Sequence, residues 1–135
     1  MALLSWSKRY SVGVKALDDQ HAEFIGLLND LHDAMMAGKV ETAAGPLLEK
    51  VMAGATRHFA AEEELMASTQ YPGLAEHRAK HQELLRQVEG FTARSQQGDS
   101  SMYFPLLLFL RDWLTGHIIQ VDQQYTEWMN THGIH

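Results

Sequence analysis

The 135-residue sequence contains no cysteine, which excludes disulfides, iron–sulfur clusters and zinc sites built on thiolates. It carries 11 basic side chains against 17 acidic ones, a formal net charge of −6, and the basic residues form no stripe. We therefore expect no nucleic-acid partner. The longest apolar run, residues 103–110, is interrupted by Pro105 and is far shorter than a membrane span requires. The N-terminus has no apolar signal segment, so we expect a cytoplasmic protein.

Long segments with helical spacing account for most of the chain, and no segment of useful length alternates with the period of two that a strand requires. The apolar positions predict four helices, at about residues 18–37, 42–68, 74–95 and 102–130. Asp18 or Asp19 is placed to cap the first helix and Gly38 to end it. Pro46 is expected in the first turn of the second helix, where its missing N–H does least harm.

The connections between these helices are short, and the clearest of them is the turn formed by residues 71–73. Short loops favour antiparallel neighbours, so the pattern predicts an all-α fold, an antiparallel up-down-up-down four-helix bundle. We expect a single domain over residues 1–135. An irregular N-terminal arm is expected over about residues 1–17, followed by the bundle at about 18–130.

Histidine stands at five positions of the apolar stripes, where leucine would be usual. Two carboxylates belong to the same set, which consists of His21, His58, Glu62, His77, His81, His117 and Asp122. Burying five imidazoles without partners would cost stability, and the natural partner is a metal. Seven protein ligands are too many for one ion and suit two ions that share bridging carboxylates.

The spacing within each helix agrees with a metal site. His77 and His81 are four residues apart, so their side chains lie about 40° apart on one helical face and can reach one ion. His58 and Glu62 have the same spacing, which leaves the carboxylate free to bridge to a second ion. Asp122 follows the fourth-helix histidine by five residues, an offset of about 140°. On a regular helix these two side chains cannot point the same way, although the carboxylate can still reach between two metals.

The ligand types narrow the chemistry. Imidazole and carboxylate ligands without sulfur suit iron, and also manganese, copper or zinc. The sequence contains no Glu-x-x-His, the signature of ferritin-like di-iron proteins, which also counts against iron storage. It contains no His-Glu-x-x-His, which excludes the common metalloprotease motif. Glu63 and Glu64 adjoin a predicted ligand but point elsewhere on the helix, and we expect both to be solvated.

Four short segments resemble the ligand segments of the hemerythrin family, specifically the single-domain bacteriohemerythrins. They are Asp18-Asp19-Gln20-His21, His58-Phe59-Ala60-Ala61-Glu62-Glu63, His77-Arg78-Ala79-Lys80-His81 and His117-Ile118-Ile119-Gln120-Val121-Asp122. The match covers nearly the whole chain and fills every ligand position.

The resemblance implies two iron ions (Fe2+/Fe3+) bridged by an oxo or hydroxo group and by Glu62 and Asp122. The three histidines of the third and fourth helices would hold one iron, which is then six-coordinate. The histidines of the first two helices would hold the other and leave one position open for O2.

The function implied by the resemblance is a carrier or store that binds O2 reversibly, and not an enzyme. Reversible binding needs a pocket that excludes water. Leu114, three residues before His117, and Ile118, about 40° from Leu114, are predicted to line that pocket, with Trp113 nearby. The alternative is a di-iron enzyme or sensor that acts on O2, peroxide or nitric oxide through the same ligands. We expect a monomer, and the sequence names no protein partner.

Overall fold

The described part of the chain contains five α-helices, and the four long ones pack as a bundle. The computed structural model describes residues 3–98 and 100–135, so the first two residues of the predicted arm lie outside the described part. The helices are α1 (Lys15–Met36), α2 (Gly45–Ser68), α3 (Leu74–Gln96), α4 (Tyr103–Gln120) and the short α5 (Thr126–Thr131). Helices α1 and α3 each pack against both α2 and α4. The all-α bundle predicted from the apolar spacing is confirmed, and the described residues contain no strand.

The start of α1 differs from the prediction. The helix begins at Lys15, three residues before the predicted start, and no side chain caps it. The capping role predicted for Asp18 or Asp19 is therefore wrong. Asp18 instead lies in the first turn, where its carboxylate accepts hydrogen bonds from Ser11 Oγ at 2.6 Å and from the Val12 N–H at 2.8 Å. The carboxylate thus fastens the N-terminal arm to α1.

The end of α1 and the start of α2 follow the predicted signals. Gly38 adopts a φ of +74°, a left-handed conformation that favours glycine, and the chain turns there. The Lys39 N–H donates to the Ala34 carbonyl at 2.8 Å, which satisfies one of the last carbonyls of the helix. A single π-helical turn, Val40–Ala44, leads into α2, and Pro46 lies in the first turn of that helix.

The predicted fourth helix is not continuous. Helix α4 is followed by a 3-10 segment, Asp122–Tyr125, and only then by α5. As a result, Asp122 and Met129 are buried where a regular helix would bury Val121 and Trp128. The helical period of 3.6 residues holds only while the helix is regular, so the break changes which residues are buried at these two positions, while Tyr125 between them is buried as predicted.

The core is a single cluster of apolar side chains drawn from the arm and the helices. In α1 the predicted stripe is buried in full, namely Leu17, His21, Phe24, Ile25, Leu28 and Leu31. In α2 the structure buries Phe59 and Met66, whereas the predicted Leu47 and Leu65 are only half-buried. Within the described residues, no helix is both long enough and apolar enough to cross a membrane.

Candidate metal centre

All seven predicted ligands meet in the interior of the bundle. Each of them is at most 7% exposed. Helix α1 contributes one, α2 and α3 two each, α4 one, and the 3-10 segment one; in chain order they are His21, His58, Glu62, His77, His81, His117 and Asp122. The fold therefore brings together side chains that are up to about a hundred residues apart in sequence.

The seven side chains form two overlapping groups of potential ligand atoms. One group has three histidines and is made of Glu62, His77, His81, His117 and Asp122; the other has two and is made of His21, His58, Glu62 and Asp122. Within each group the nitrogen and oxygen atoms lie within 4.8 Å of one another. We call these the three-histidine group and the two-histidine group, and the two carboxylates belong to both.

The two oxygens of Glu62 face different groups. Oε1 lies 3.1 Å from His81 Nε2 and is hydrogen-bonded to His77. Oε2 lies 3.3 Å from His58 Nε2 and 4.0 Å from His21 Nε2. A carboxylate in this position is able to bind one ion through each oxygen.

Asp122 is divided between the groups in the same way. Its Oδ1 lies 2.9 Å from His117 Nε2 and 3.0 Å from His77 Nε2, both in the three-histidine group. Its Oδ2 lies 3.3 Å from His21 Nε2 in the two-histidine group. Both carboxylates are therefore placed to bridge two cations.

The break after α4 is what allows Asp122 to reach the centre. On a regular helix its offset from His117 would be about 140°, which would turn the carboxylate away from the imidazole. At Val121 the φ of −118° departs from the usual helical value while ψ, at −57°, stays near it, and the chain continues as the 3-10 segment. The tighter turn brings the carboxylate beside His117, which the sequence pattern did not predict.

The donor set fits a pair of metal ions. Both oxygens of Asp122 and the Nε2 atom of His81 are buried without a hydrogen-bond partner. Buried polar atoms normally have such partners, because leaving them unpaired costs stability. The Nε2 atoms of His21 and His58 lie only 2.9 Å apart and point toward the same region. Converging imidazole nitrogens and carboxylate oxygens, with no sulfur, are the ligands that first-row divalent ions bind.

The charges of the centre also favour cations. Burial acts to raise the pKa of Glu62, but its contacts with the imidazoles of His58, His77 and His81 outweigh burial and hold this pKa well below its ordinary value. Burial and the nearby Glu62 act to raise the pKa of Asp122, yet its contacts with imidazoles lower it. Burial lowers the pKa of His77, but contacts with both carboxylates raise it to about 9. The centre thus holds two buried anions that need positive charge beside them.

Two outer side chains orient the imidazoles, and the sequence analysis identified neither. Gln20 Oε1 lies 2.7 Å from His58 Nδ1, and Glu63 Oε2 lies 2.9 Å from His81 Nδ1. Because a carboxylate oxygen only accepts, His81 carries its proton on Nδ1 and presents Nε2 to the centre. The expectation that Glu63 is solvated is wrong, since it is 20% exposed and also accepts from Arg78. No local pattern marks Glu63, because its partner lies on another helix.

Tyr125 supports one of the bridging carboxylates. Its side chain is fully buried, and its hydroxyl donates to Glu62 Oε2 at 2.8 Å. Burial raises the pKa of Tyr125 well above its ordinary value, and the two carboxylates raise it further. The phenol therefore keeps its proton and acts as a donor. Its position in the 3-10 segment, like that of Asp122, depends on the break after α4.

The residues predicted to line an O2 pocket lie on α4, the helix that carries His117. Leu114 and Ile118 are buried, at 3% and 1% exposure. The half-buried Trp113 stacks on His117, with ring centroids 4.3 Å apart, and the Phe59 ring stacks on His81 at 3.8 Å. These two aromatic rings cover the three-histidine group.

Comparisons with known proteins agree on one family. The model of the Hemerythrin HHE cation binding domain matches residues 12–129. A bacteriohemerythrin of Stenotrophomonas maltophilia is 34% identical over 132 residues, covering 98% of this chain and 85% of that protein. A bacteriohemerythrin of Methylococcus capsulatus is 30% identical, covering 93% and 95% respectively. The crystal structure of wild-type hemerythrin superposes with a TM-score of 0.83 at 28% identity, covering 93% of this chain and 97% of that one.

Proposed function

The chain belongs to the hemerythrin family, and from this premise we propose that it is a non-heme di-iron protein that binds O2 reversibly, as a carrier or store and not as an enzyme. One observation carries the proposal: two groups with unequal numbers of histidines share both of their carboxylates. Unequal groups imply two ions with unequal numbers of protein ligands. Such a pair has one saturated ion and one that is able to take up a further ligand.

The count of donor atoms leads to the same arrangement. The three-histidine group offers five protein ligands to its iron, and an oxo or hydroxo bridge derived from solvent would complete six. The two-histidine group offers four, so the same bridge would leave one position open. We propose that the iron at His21 and His58 has this open position. All seven ligands come from one chain, which supports the proposal that the protein acts as a monomer.

Side chains of the protein would fix the geometry of the metal centre. When bound, the two irons would supply the open position and the two electrons that reversible O2 binding requires. Glu62 and Asp122 fix the separation between the two histidine groups, because each carboxylate places one oxygen toward each group. Tyr125 keeps its hydroxyl proton and donates a hydrogen bond to Glu62 Oε2, and this bond fixes the orientation of the carboxylate. The centre thus combines two anions with little freedom to rearrange.

Exclusion of water is the second requirement for a reversible site. We propose that Leu114 and Ile118 line the O2 pocket, since both are buried on the helix that carries His117. An apolar wall admits O2, which is itself apolar, and offers no proton donor. Trp113 closes the side of the centre next to His117 through its stacked ring.

The domain organisation follows from the shared core. We propose that residues 1–135 form one hemerythrin-like domain, because arm residues such as Tyr10 and Val12 belong to the same apolar cluster as the helices. The bundle begins at Lys15 and not at the predicted residue 18, so the arm is three residues shorter than expected.

An optical titration tests the proposed function. The anaerobic protein is loaded with two Fe(II) per chain, exposed to O2 and then returned to an atmosphere without O2, with the metal-free protein as the control. We expect a visible absorption band that appears with O2 and disappears on its removal. Prompt decay to a stable diferric protein would favour the enzyme or sensor alternative. If no band appears although two irons are bound, the proposed open position is wrong.

A further inference from the structure

The N-terminal arm is bound to the 3-10 segment that carries Asp122. Gln123 Nε2 donates to the carbonyls of Arg9 at 2.8 Å and Ser11 at 3.2 Å. Thr126 Oγ1 donates to the Val12 carbonyl at 2.6 Å. These contacts join parts of the chain that are more than a hundred residues apart. The arm therefore lies against the outer side of the break after α4.

We propose that residues 9–13 of the arm, which we call the brace, position the bridging carboxylate Asp122 by holding the 3-10 segment in place, and that Gln123 and Thr126 are the positioning residues. This inference rests on the proposed metal centre and adds to it a part of the chain that contains none of the seven ligands. The brace acts on both ions together, because Asp122 belongs to both histidine groups.

The geometry of a 3-10 helix explains how one short segment serves both purposes. With three residues per turn, side chains three apart lie on the same side of the helix. Asp122 and Tyr125 are three apart, and both are buried toward the centre. Gln123 in the segment and Thr126, the first residue of α5, are also three apart, and both donate to carbonyls of the arm. One side of this part of the chain thus supplies Asp122 to the metal centre and the Tyr125 donor to Glu62, while another side faces the brace.

The segment needs outside support because the α-helical hydrogen-bond ladder is interrupted there. At the break, the turn is closed by the Val121 N–H, which donates to the His117 carbonyl at 2.9 Å, and by the Gln124 N–H, which donates to the Val121 carbonyl at 3.1 Å. A 3-10 turn is held by weaker hydrogen bonds than an α-helix. The bonds from Gln123 and Thr126 to the arm add to this hold.

The brace is itself fixed on its other side. Asp18 in α1 accepts hydrogen bonds from Ser11 Oγ and the Val12 N–H, at 2.6 and 2.8 Å. Val12 is completely buried. At Gly13 the φ is +70°, and a Cβ there would lie only 2.6 Å from Thr126 Cγ2, so a larger residue would push the arm and the segment apart. The brace is therefore held between the first helix and the segment.

The test compares two ways of loosening the arm. The double variant Gln123→Ala/Thr126→Val removes three hydrogen bonds from the brace and keeps all seven ligands. The control, Asn29→Ala, removes the two bonds that attach the start of the arm to α1, from the Leu4 N–H at 3.0 Å and to the Leu4 carbonyl at 2.7 Å. Zn2+ affinity is measured by competition with a chelator, hydrogen exchange is followed at residues 122–125 of the metal-free proteins, and urea unfolding of the metal-free proteins measures stability.

We expect the double variant to bind both Zn2+ ions about 10-fold more weakly than the wild type, the lower end of the effect of changing groups that orient metal ligands. Exchange at residues 122–125 is expected to be faster in the same protein. The Asn29→Ala protein is expected to keep wild-type affinity for both ions. The inference is wrong if the double variant binds Zn2+ as the wild type does, or if the control loses as much affinity at an equal loss of stability.

Two further measurements keep the outcomes distinct. If the double variant does not fold, the single variant Thr126→Val, which preserves the shape of the side chain, takes its place with the same two expectations. The wild type must bind two Zn2+ per chain; if it binds none, the proposed metal centre fails, whereas normal binding with unaffected variants refutes the brace alone.

Discussion

Replacing Glu63 with glutamine is expected to weaken one of the two metal sites and to leave the other unchanged. Glu63 contacts His81 Nδ1 at 2.9 Å, and His81 belongs only to the three-histidine group. Its side chain is 20% exposed and is also paired with Arg78. Burial acts to raise the pKa of Glu63, but the contacts with His81 and Arg78 lower it, so the carboxylate is anionic at neutral pH.

The size of the effect follows from the change in the hydrogen bond. A bond to a charged group contributes about 1.5–3 kcal/mol and a neutral one about 1 kcal/mol. The amide keeps the shape of the side chain but loses the charge, and Glu63 is partly screened by solvent. We therefore expect a loss of about 1 kcal/mol, which is roughly a 5-fold decrease in affinity for one ion.

The assay is a Zn2+ competition titration that resolves the two binding steps, with urea unfolding of the metal-free protein alongside. Glu64→Gln is the matched control, because Glu64 is the exposed neighbour of Glu63 and its substitution removes the same charge from the same helix. Equal weakening of both steps in Glu63→Gln would refute the reasoning. An equal effect of Glu64→Gln would refute it as well, because the loss would then come from net charge and not from His81.

Three more outcomes are expected. Leu114→Ala should shorten the lifetime of the O2-bound protein, measured as decay of the visible band, because a cavity costing about 2–5 kcal/mol opens the pocket to water; an unchanged lifetime would contradict the pocket assignment. Asp122→Asn should lower the iron content at both sites, since the carboxylate is shared, and retention of two irons would contradict its bridging role. The metal-free protein should be more stable at pH 6 than at pH 9.5, because the raised pKa of His77, about 9, makes its stabilising charge disappear as the pH rises from about 6.5 through 9. The free energy of unfolding, measured with urea, should differ by at most about 3 kcal/mol between the two pH values, and His77→Gln should abolish the difference.

Much of the fold could be predicted because helical periodicity is a local property. The stripe of α1 was predicted in full, as were the turn at Gly38 and the position of Pro46. The start of α1 was missed because Asp18 resembles a cap by residue type, whereas its carboxylate binds the arm. A capping signal alone does not reveal a competing partner that approaches from outside the helix.

That the candidate ligands form one cluster could also be predicted from the sequence. Polar residues on apolar stripes are rare unless something binds them, so the five histidines and Glu62 on such stripes marked one buried cluster, to which Asp122 was added although it lies off the stripe. The division into three-histidine and two-histidine groups was implied by the family resemblance, and the structure brings the same side chains together. That these residues bind iron, and that Leu114 and Ile118 line an O2 pocket, stay predictions for the experiments above.

The sequence by itself determined the helices, the bundle and the identity of the side chains that meet inside it, because each of these follows from residue type and local spacing. Only the tertiary structure decided how the imidazoles are oriented and how Asp122 reaches them. Glu63 and Gln20 act across helix boundaries, and the break after α4 is stabilised by an arm more than a hundred residues away. Contacts of this kind depend on the register and packing of whole helices, which no local pattern encodes.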